Sequence, residues 1–246
     1  MNRVLRGLAV FWTVVLATVG PALAGPGSIE LNLDGGDGIA NSAVRLFLLM
    51  TLLAVAPSLV LMMTCFVRFV IALHFVRQAL GTPQMPPNQV VIGLALFLTL
   101  FAMSPTIDRV YEQAWKPWEQ GEIDEYEGLQ AAATPLRQFM LANTREADLK
   151  LFVRMSRIER PEGPDQLPLR VVIPAYVISE LKTGFQIGFL LFLPFLVIDL
   201  VVASILLSMG MMMLPPAMVS LPFKILLFVL VDGWSLIAGS LVAGLH

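Results

Sequence analysis

Four long runs of apolar residues alternate with polar stretches along this chain, and their lengths predict helices. Leu46–Val67 carries no charge, is broken only by Pro57, and is long enough to cross a bilayer. The helical pattern continues past it through Arg68, His74 and Arg77 to Gly81, a C-terminal stop with Pro83 beyond. One helix of that extent is about 50 Å long, with a kink available at Pro57. Pro86-Pro87-Asn88 opens a second apolar run, Val90–Met103, closed by Ser104-Pro105. Residues 108–173 are polar. Within them Thr134-Pro135 reads as a helix start, and Asn143 with Glu146 as a capping box for a helix reaching about Ile158. Glu146 and Lys150 stand four apart, as an ion pair on a helix does. These two helices form a polar hairpin outside the membrane, and Pro161, Pro164 and Pro168 make an extended connector. From Pro174 onward two apolar runs, Phe185–Leu207 and Ala217–Val231, flank a short turn. No strand pattern of any length interrupts this order, so the chain reads as an all-α membrane protein of two apolar helical hairpins and one polar hairpin.

The start of the chain has a different character. Residues 1–24 combine a basic beginning (Arg3, Arg6), an apolar centre (Leu8–Val19) and Ala22-Leu23-Ala24, the form of a cleavable signal peptide; the other reading is an anchor that stays attached. Residues 25–43, rich in Gly, Asp and Asn, read as a flexible leader. Cleavage starts the mature chain outside the cytoplasm. The first hairpin, 44–107, then turns on the cytoplasmic side, where Arg68 and Arg77 lack acidic neighbours in sequence and match the positive-inside tendency.

Composition agrees. The 246 residues are 57% hydrophobic and 14% charged, with mean hydropathy +0.78, as expected of a membrane protein. A net charge of −2 gives no reason to expect nucleic acid. The one cysteine, Cys65, lies in an apolar run and reads as a buried thiol. His74 and His246 are far apart in sequence and form no metal-ligand cluster, and neither a phosphate loop nor a nucleophile elbow occurs. The chain therefore offers no catalytic, metal or cofactor residues. Tyr111, Trp115, Trp118 and Tyr126 suit a membrane interface or a packing surface.

Chemistry concentrates instead in residues 174–246. Glu180, Lys182, Asp199, Lys224 and Asp232 lie in or beside apolar helices, where each charge costs about 2.5–3.5 kcal/mol on insertion scales and needs a partner. Folding the hairpin about residue 212 sets Asp199 opposite Lys224, and Glu180 of a neighbouring copy is the alternative partner for that lysine. Structural ion pairing accounts for these charges better than a proton relay. Gly184 and Gly188, four apart, permit close helix approach. Phe185, Phe189, Phe192 and Phe195 form one aromatic stripe, read as packing. The turn Ser208–Pro216 has no charge, and four of its nine residues are methionine (Met209, Met211, Met212, Met213). Unbranched thioethers seal against surfaces of varying shape, so such a tip belongs against protein or inside a passage.

Several long strings carry a resemblance: PAYVISELKTGFQIGF at 174–189, PFLVIDLVVAS at 194–204, MGMMMLPP at 209–216 and LPFK at 221–224. ALGTP at 79–83, PPN at 86–88 with GLALFLT at 93–99, and NTREADLKLF at 143–152 extend it. From about Ala43 to the C-terminus the chain resembles the FliP family of flagellar type III export. The resemblance implies a pentameric, helical assembly with FliQ-like and FliR-like subunits, working with FlhB-like and FlhA-like components. It implies an export gate for unfolded proteins in the bacterial inner membrane, much of it on the periplasmic side. It also implies that Met209, Met211, Met212 and Met213 form the gasket of the pore. A secondary transporter and a purely scaffolding membrane protein are the alternative readings.

Overall fold

The computed structural model describes residues 38–156, 163, 166–211 and 213–245. The signal-peptide reading, Pro161, Pro164, Met212 and His246 lie outside the described residues. The chain divides into two units, one ending at Met62 and one beginning at Met63. In the first, the helix α1 spans Gly38–Met62 with Pro57 inside it. It begins within the stretch whose Gly and Asn content reads as leader.

The second unit contains α2 (Phe66–Ala79), α3 (Asn88–Val110), a π-helical turn (Tyr111–Trp115) and α4 (Lys116–Glu119). These are followed by α5 (Glu125–Ala142), α6 (Glu146–Ser156), α7 (Leu169–Ser208), α8 (Pro216–Leu230) and α9 (Gly233–Ala243). No strand occurs among the described residues.

The single helix expected across residues 46–81 is two. The break falls at Met63-Thr64-Cys65 rather than at Pro57, and the downstream piece ends on Leu80 with Gly81 in the left-handed region at φ 76°. A proline inside a helix removes only one backbone hydrogen bond, and an apolar setting tolerates that.

α2 supplies a fully buried stripe to the second unit. Cys65, Phe69, Ala72, Val76 and Ala79 recur at helical spacing, and all are fully buried. They share one core with Val171, Val172 and Tyr176 of α7 and with Val91, Ala95 and Met103 of α3, the two helices α2 packs against. Burying a side chain such as Phe69 contributes about 1.5–3 kcal/mol. Across the joint between α2 and α3, Arg77 donates to the Asn88 side chain and to the Pro86 carbonyl.

Three local expectations fail for identifiable reasons. Ser104-Pro105 does not close α3, which runs on to Val110 and then through the π-turn; Pro105 is accommodated within it. Thr134-Pro135 does not start a helix. Pro135 is fully buried inside α5, whose start is a capping box between Asp124 and Glu127, the carboxylate accepting from the Glu127 amide at 2.7 Å. Packing of the proline outweighs its local preference. Asn143 does not open α6 either. It ends α5, and its side-chain amide donates to the Phe139 carbonyl at 3.0 Å.

α5 and α6 do not pack on one another as the expected polar hairpin. α5 lies against α3 and the π-turn, whereas α6 lies along α7. Ser179 explains the second attachment: its hydroxyl oxygen accepts the Arg145 amide at 2.9 Å, fixing the entrance of α6 on α7. The expected pair of Glu146 and Lys150 is present on the exposed side at 2.6 Å. The lysine hydrogen bond and charge hold the Glu146 carboxyl below its ordinary range.

α7, the longest helix among the described residues at 40 residues, starts at Leu169 and passes through Pro174 and Pro194 without ending. The segments Asn88–Glu119 and Leu169–Ser208 are long and apolar enough to cross a membrane. The described residues supply up to four spans if each pair of helices separated by a short break counts as one. α8 and α9 form one such pair, bent by 64° at Asp232, which adopts a left-handed conformation with φ 48°.

Candidate functional site

α7 and α8 pack as an antiparallel pair joined by the methionine turn. The turn is built from its residue types. The Ser208 hydroxyl donates to the Ile205 carbonyl at 2.7 Å, and Gly210 takes φ 74°, where a side chain is strained. The Met211 amide then returns to the Leu206 carbonyl at 3.0 Å, and Pro216 starts α8 at a position that needs no amide hydrogen. This geometry turns the thioethers outward. Met213 is 97% exposed, and Met209, Met211, Leu214 and Met218 are exposed as well. Behind the turn the two helices diverge around a wholly apolar cleft of about 530 Å³, lined by Val201, Ile205, Met209, Met211, Val219 and Phe223 among others.

The base of this cleft is held by polar contacts. Lys224 Nζ donates to Asp199 Oδ2 at 2.7 Å, and the Ser220 hydroxyl donates to Asp199 Oδ1 at 2.6 Å. One carboxylate thus takes a donor on each oxygen, both from α8 positions four apart. The Lys224 side chain is 6% exposed and that of Asp199 34% exposed, so the lysine is the more deeply committed member. Ser220 was not singled out by the sequence, although its place one turn before Lys224 was a usable signal.

Glu180 has a different partner from the one proposed for it. It is fully buried and pairs with Arg68 of α2, whose Nε donates to Oε2 at 3.0 Å and whose Nη2 meets Oε1. Arg68 Nη1 also donates to the Gly244 carbonyl at 3.1 Å, satisfying an orphan acceptor at the end of α9. Glu180 and Lys224 are not paired within the chain. Nor does Arg68 stand as an isolated cytoplasmic charge, because it is buried and neutralised. Sequence separation hid this pair: the two residues are 112 positions apart.

Gly184 and Gly188 face α2. A Cβ on Gly184 would lie 3.2 Å from Ile71 Cβ, and one on Gly188 would lie 2.5 Å from the Phe75 ring. The aromatic stripe divides, with Phe195 buried and Phe185 and Phe189 exposed. Phe185 also meets Phe75 edge-on at 5.7 Å. His74 is a helix-face residue whose Nδ1 lies 2.8 Å from the Val70 carbonyl. Among the described residues, no group of three or more His, Cys, Asp or Glu side chains could hold a metal ion.

A helical protein with membrane-length apolar helices, internal ion pairs and an exposed methionine turn is of the membrane-embedded class. Comparison supplies the family: the FliP family model matches residues 49–241, and the chain belongs to the FliP family. It is 52% identical over 221 residues to a flagellar biosynthetic protein FliP of Pectobacterium carotovorum, covering 90% of this chain and 86% of that protein. The like-named Caulobacter vibrioides protein is 52% identical over 235 residues, covering 96% and 88%. That of Bacillus subtilis is 55% identical over 202 residues, covering 82% and 91%.

Proposed function

We propose that the chain is a core subunit of the flagellar type III protein-export gate. Five copies assemble with FliQ-like and FliR-like subunits around a passage for unfolded flagellar proteins. FlhB-like and FlhA-like components work beside it, and the assembly sits in the inner membrane with much of its mass toward the periplasm. The chain's part is structural and involves no catalytic step.

The observation that carries this reading is the turn between α7 and α8: uncharged, held by its own backbone, and presenting exposed methionines. Several copies brought to one axis place their thioethers together. In the closed state such a ring is too narrow and too dry for ions to enter. A passing polypeptide displaces the flexible side chains, which close around any sequence because dispersion contacts carry no sequence code. The Asp199–Lys224 pair and the Ser220 hydroxyl hold the two arms of the hairpin so that the tip moves as a unit.

Ion conductance of membranes carrying the assembled complex tests the proposal. Replacing Met209, Met211, Met212 and Met213 by alanine opens an ion leak while the complex still assembles. An unchanged baseline conductance in an assembled variant overturns the gasket role.

A further inference from the structure

Beyond the first turn of α7, which carries Arg170, five charged residues lie in or beside the C-terminal apolar helices, and the fold neutralises three of them: Glu180 by Arg68, and Asp199 and Lys224 by each other. Two remain, Lys182 and Asp232, of opposite sign. Both are exposed, and neither side chain makes a hydrogen bond or ion pair among the described residues. Lys182 stands two residues from Glu180, so the two point to opposite faces of α7.

The surroundings of both are apolar. Lys182 falls in line with Ile178, Phe185 and Phe189 at helical spacing, and those three are exposed. Asp232 sits at the break between α8 and α9, with exposed Val229, Leu230, Val231 and Leu236 around it. An exposed apolar patch of this kind marks a contact with another protein or with lipid. A charge in the middle of one demands a counter-charge once the patch is covered.

We infer that Lys182 of one copy pairs with Asp232 of the next, at the contact between neighbouring copies of this chain. The inference rests on the proposed assembly of several copies, and it deepens that reading by naming two faces of the contact. The faces differ, one on α7 and one at the α8–α9 break, so the contact is head-to-tail. Each copy gives one lysine and receives one aspartate, which generates a ring or a helix rather than an isolated two-fold dimer. Charge complementarity also fixes register, because a sliding contact leaves both charges unpaired under an apolar cover.

Two differently tagged full-length chains, one carrying Lys182→Cys and the other Asp232→Cys, test it after co-expression and treatment of membranes with a short bis-maleimide. Cys65 is fully buried, so the otherwise unaltered chain serves as background. The expected product is a linked pair bearing both tags, about tenfold above either variant paired with the unaltered chain. Charge reversal gives an independent reading. Lys182→Glu or Asp232→Lys alone lowers the yield of native-size oligomer about tenfold, and the double reversal in one chain restores it. An oligomer of native size that never cross-links, with reversals that fail to compensate, overturns the inference and leaves the assembly reading standing. Failure of the unaltered chain to form any oligomer overturns both.

Discussion

Arg68 and Glu180 meet in the core as a two-point ion pair, the guanidinium Nε 3.0 Å from the carboxylate, although 112 residues separate them in sequence. The same guanidinium reaches the last turn of α9 through the Gly244 carbonyl at 3.1 Å. One side chain therefore joins α2, α7 and the C-terminal helix.

A buried pair that loses one member leaves the other charge uncompensated. Arg68→Ala and Glu180→Ala each lower stability by about 3–5 kcal/mol. An apolar double replacement, Arg68→Met with Glu180→Leu, recovers most of that loss because no buried charge remains. Thermal unfolding of the detergent-solubilised protein reads the difference. Equal losses in single and double variants contradict the pairing.

Asp199 and Lys224 respond unequally. Without Asp199 the buried lysine has no counter-charge, whereas without Lys224 the carboxylate keeps the Ser220 hydroxyl and partial access to solvent. Asp199→Ala costs about 3–5 kcal/mol by the same reasoning. Lys224→Ala costs about 1–3 kcal/mol and Ser220→Ala about 1 kcal/mol. Unfolding midpoints of the three variants check the order.

Gly188 approaches α2 more closely than Gly184 does. Gly188→Ala drives a methyl into the Phe75 ring and costs about 1–3 kcal/mol, and Gly184→Ala costs less because its neighbours are 3.2 Å or more away. Phe75→Ala in the Gly188→Ala background relieves the clash in part, since it removes the ring atoms at 2.5 and 2.6 Å but keeps the Phe75 Cβ at 2.9 Å. Stability measurements on the single and double variants decide it.

Tyr176 is fully buried, yet its hydroxyl has no hydrogen-bond partner among the described residues. Its ring packs edge-on against Phe139 at 6.0 Å. Tyr176→Phe keeps the ring, removes the unpaired oxygen, and leaves stability unchanged or raised by about 1 kcal/mol. A loss of more than that reveals a partner for the hydroxyl.

Much of this arrangement was legible in the sequence, and the misses share a physical cause. Apolar run lengths gave the helices, and the glycines and charges of α7 marked positions that later proved to be contacts. Symmetric folding about the turn sufficed to set Asp199 against Lys224, because the hairpin is local and its arms are helical. Arg68–Glu180 was invisible because no periodicity relates residues on helices that pack only in the tertiary fold. Pro105 and Pro135 misled as punctuation, since each lies inside a helix, and the interruption offered at Pro57 falls instead at Met63-Thr64-Cys65. Asn143 misled in the other direction, because the same side chain that caps a helix start can close a helix end.

The position of residues 209–213 in a reconstruction of the assembled particle tests the central claim most directly. With the methionine turn as gasket, the turns from all copies converge on the axis and narrow a central opening. Turns found on the lipid-facing rim, away from any opening, contradict it.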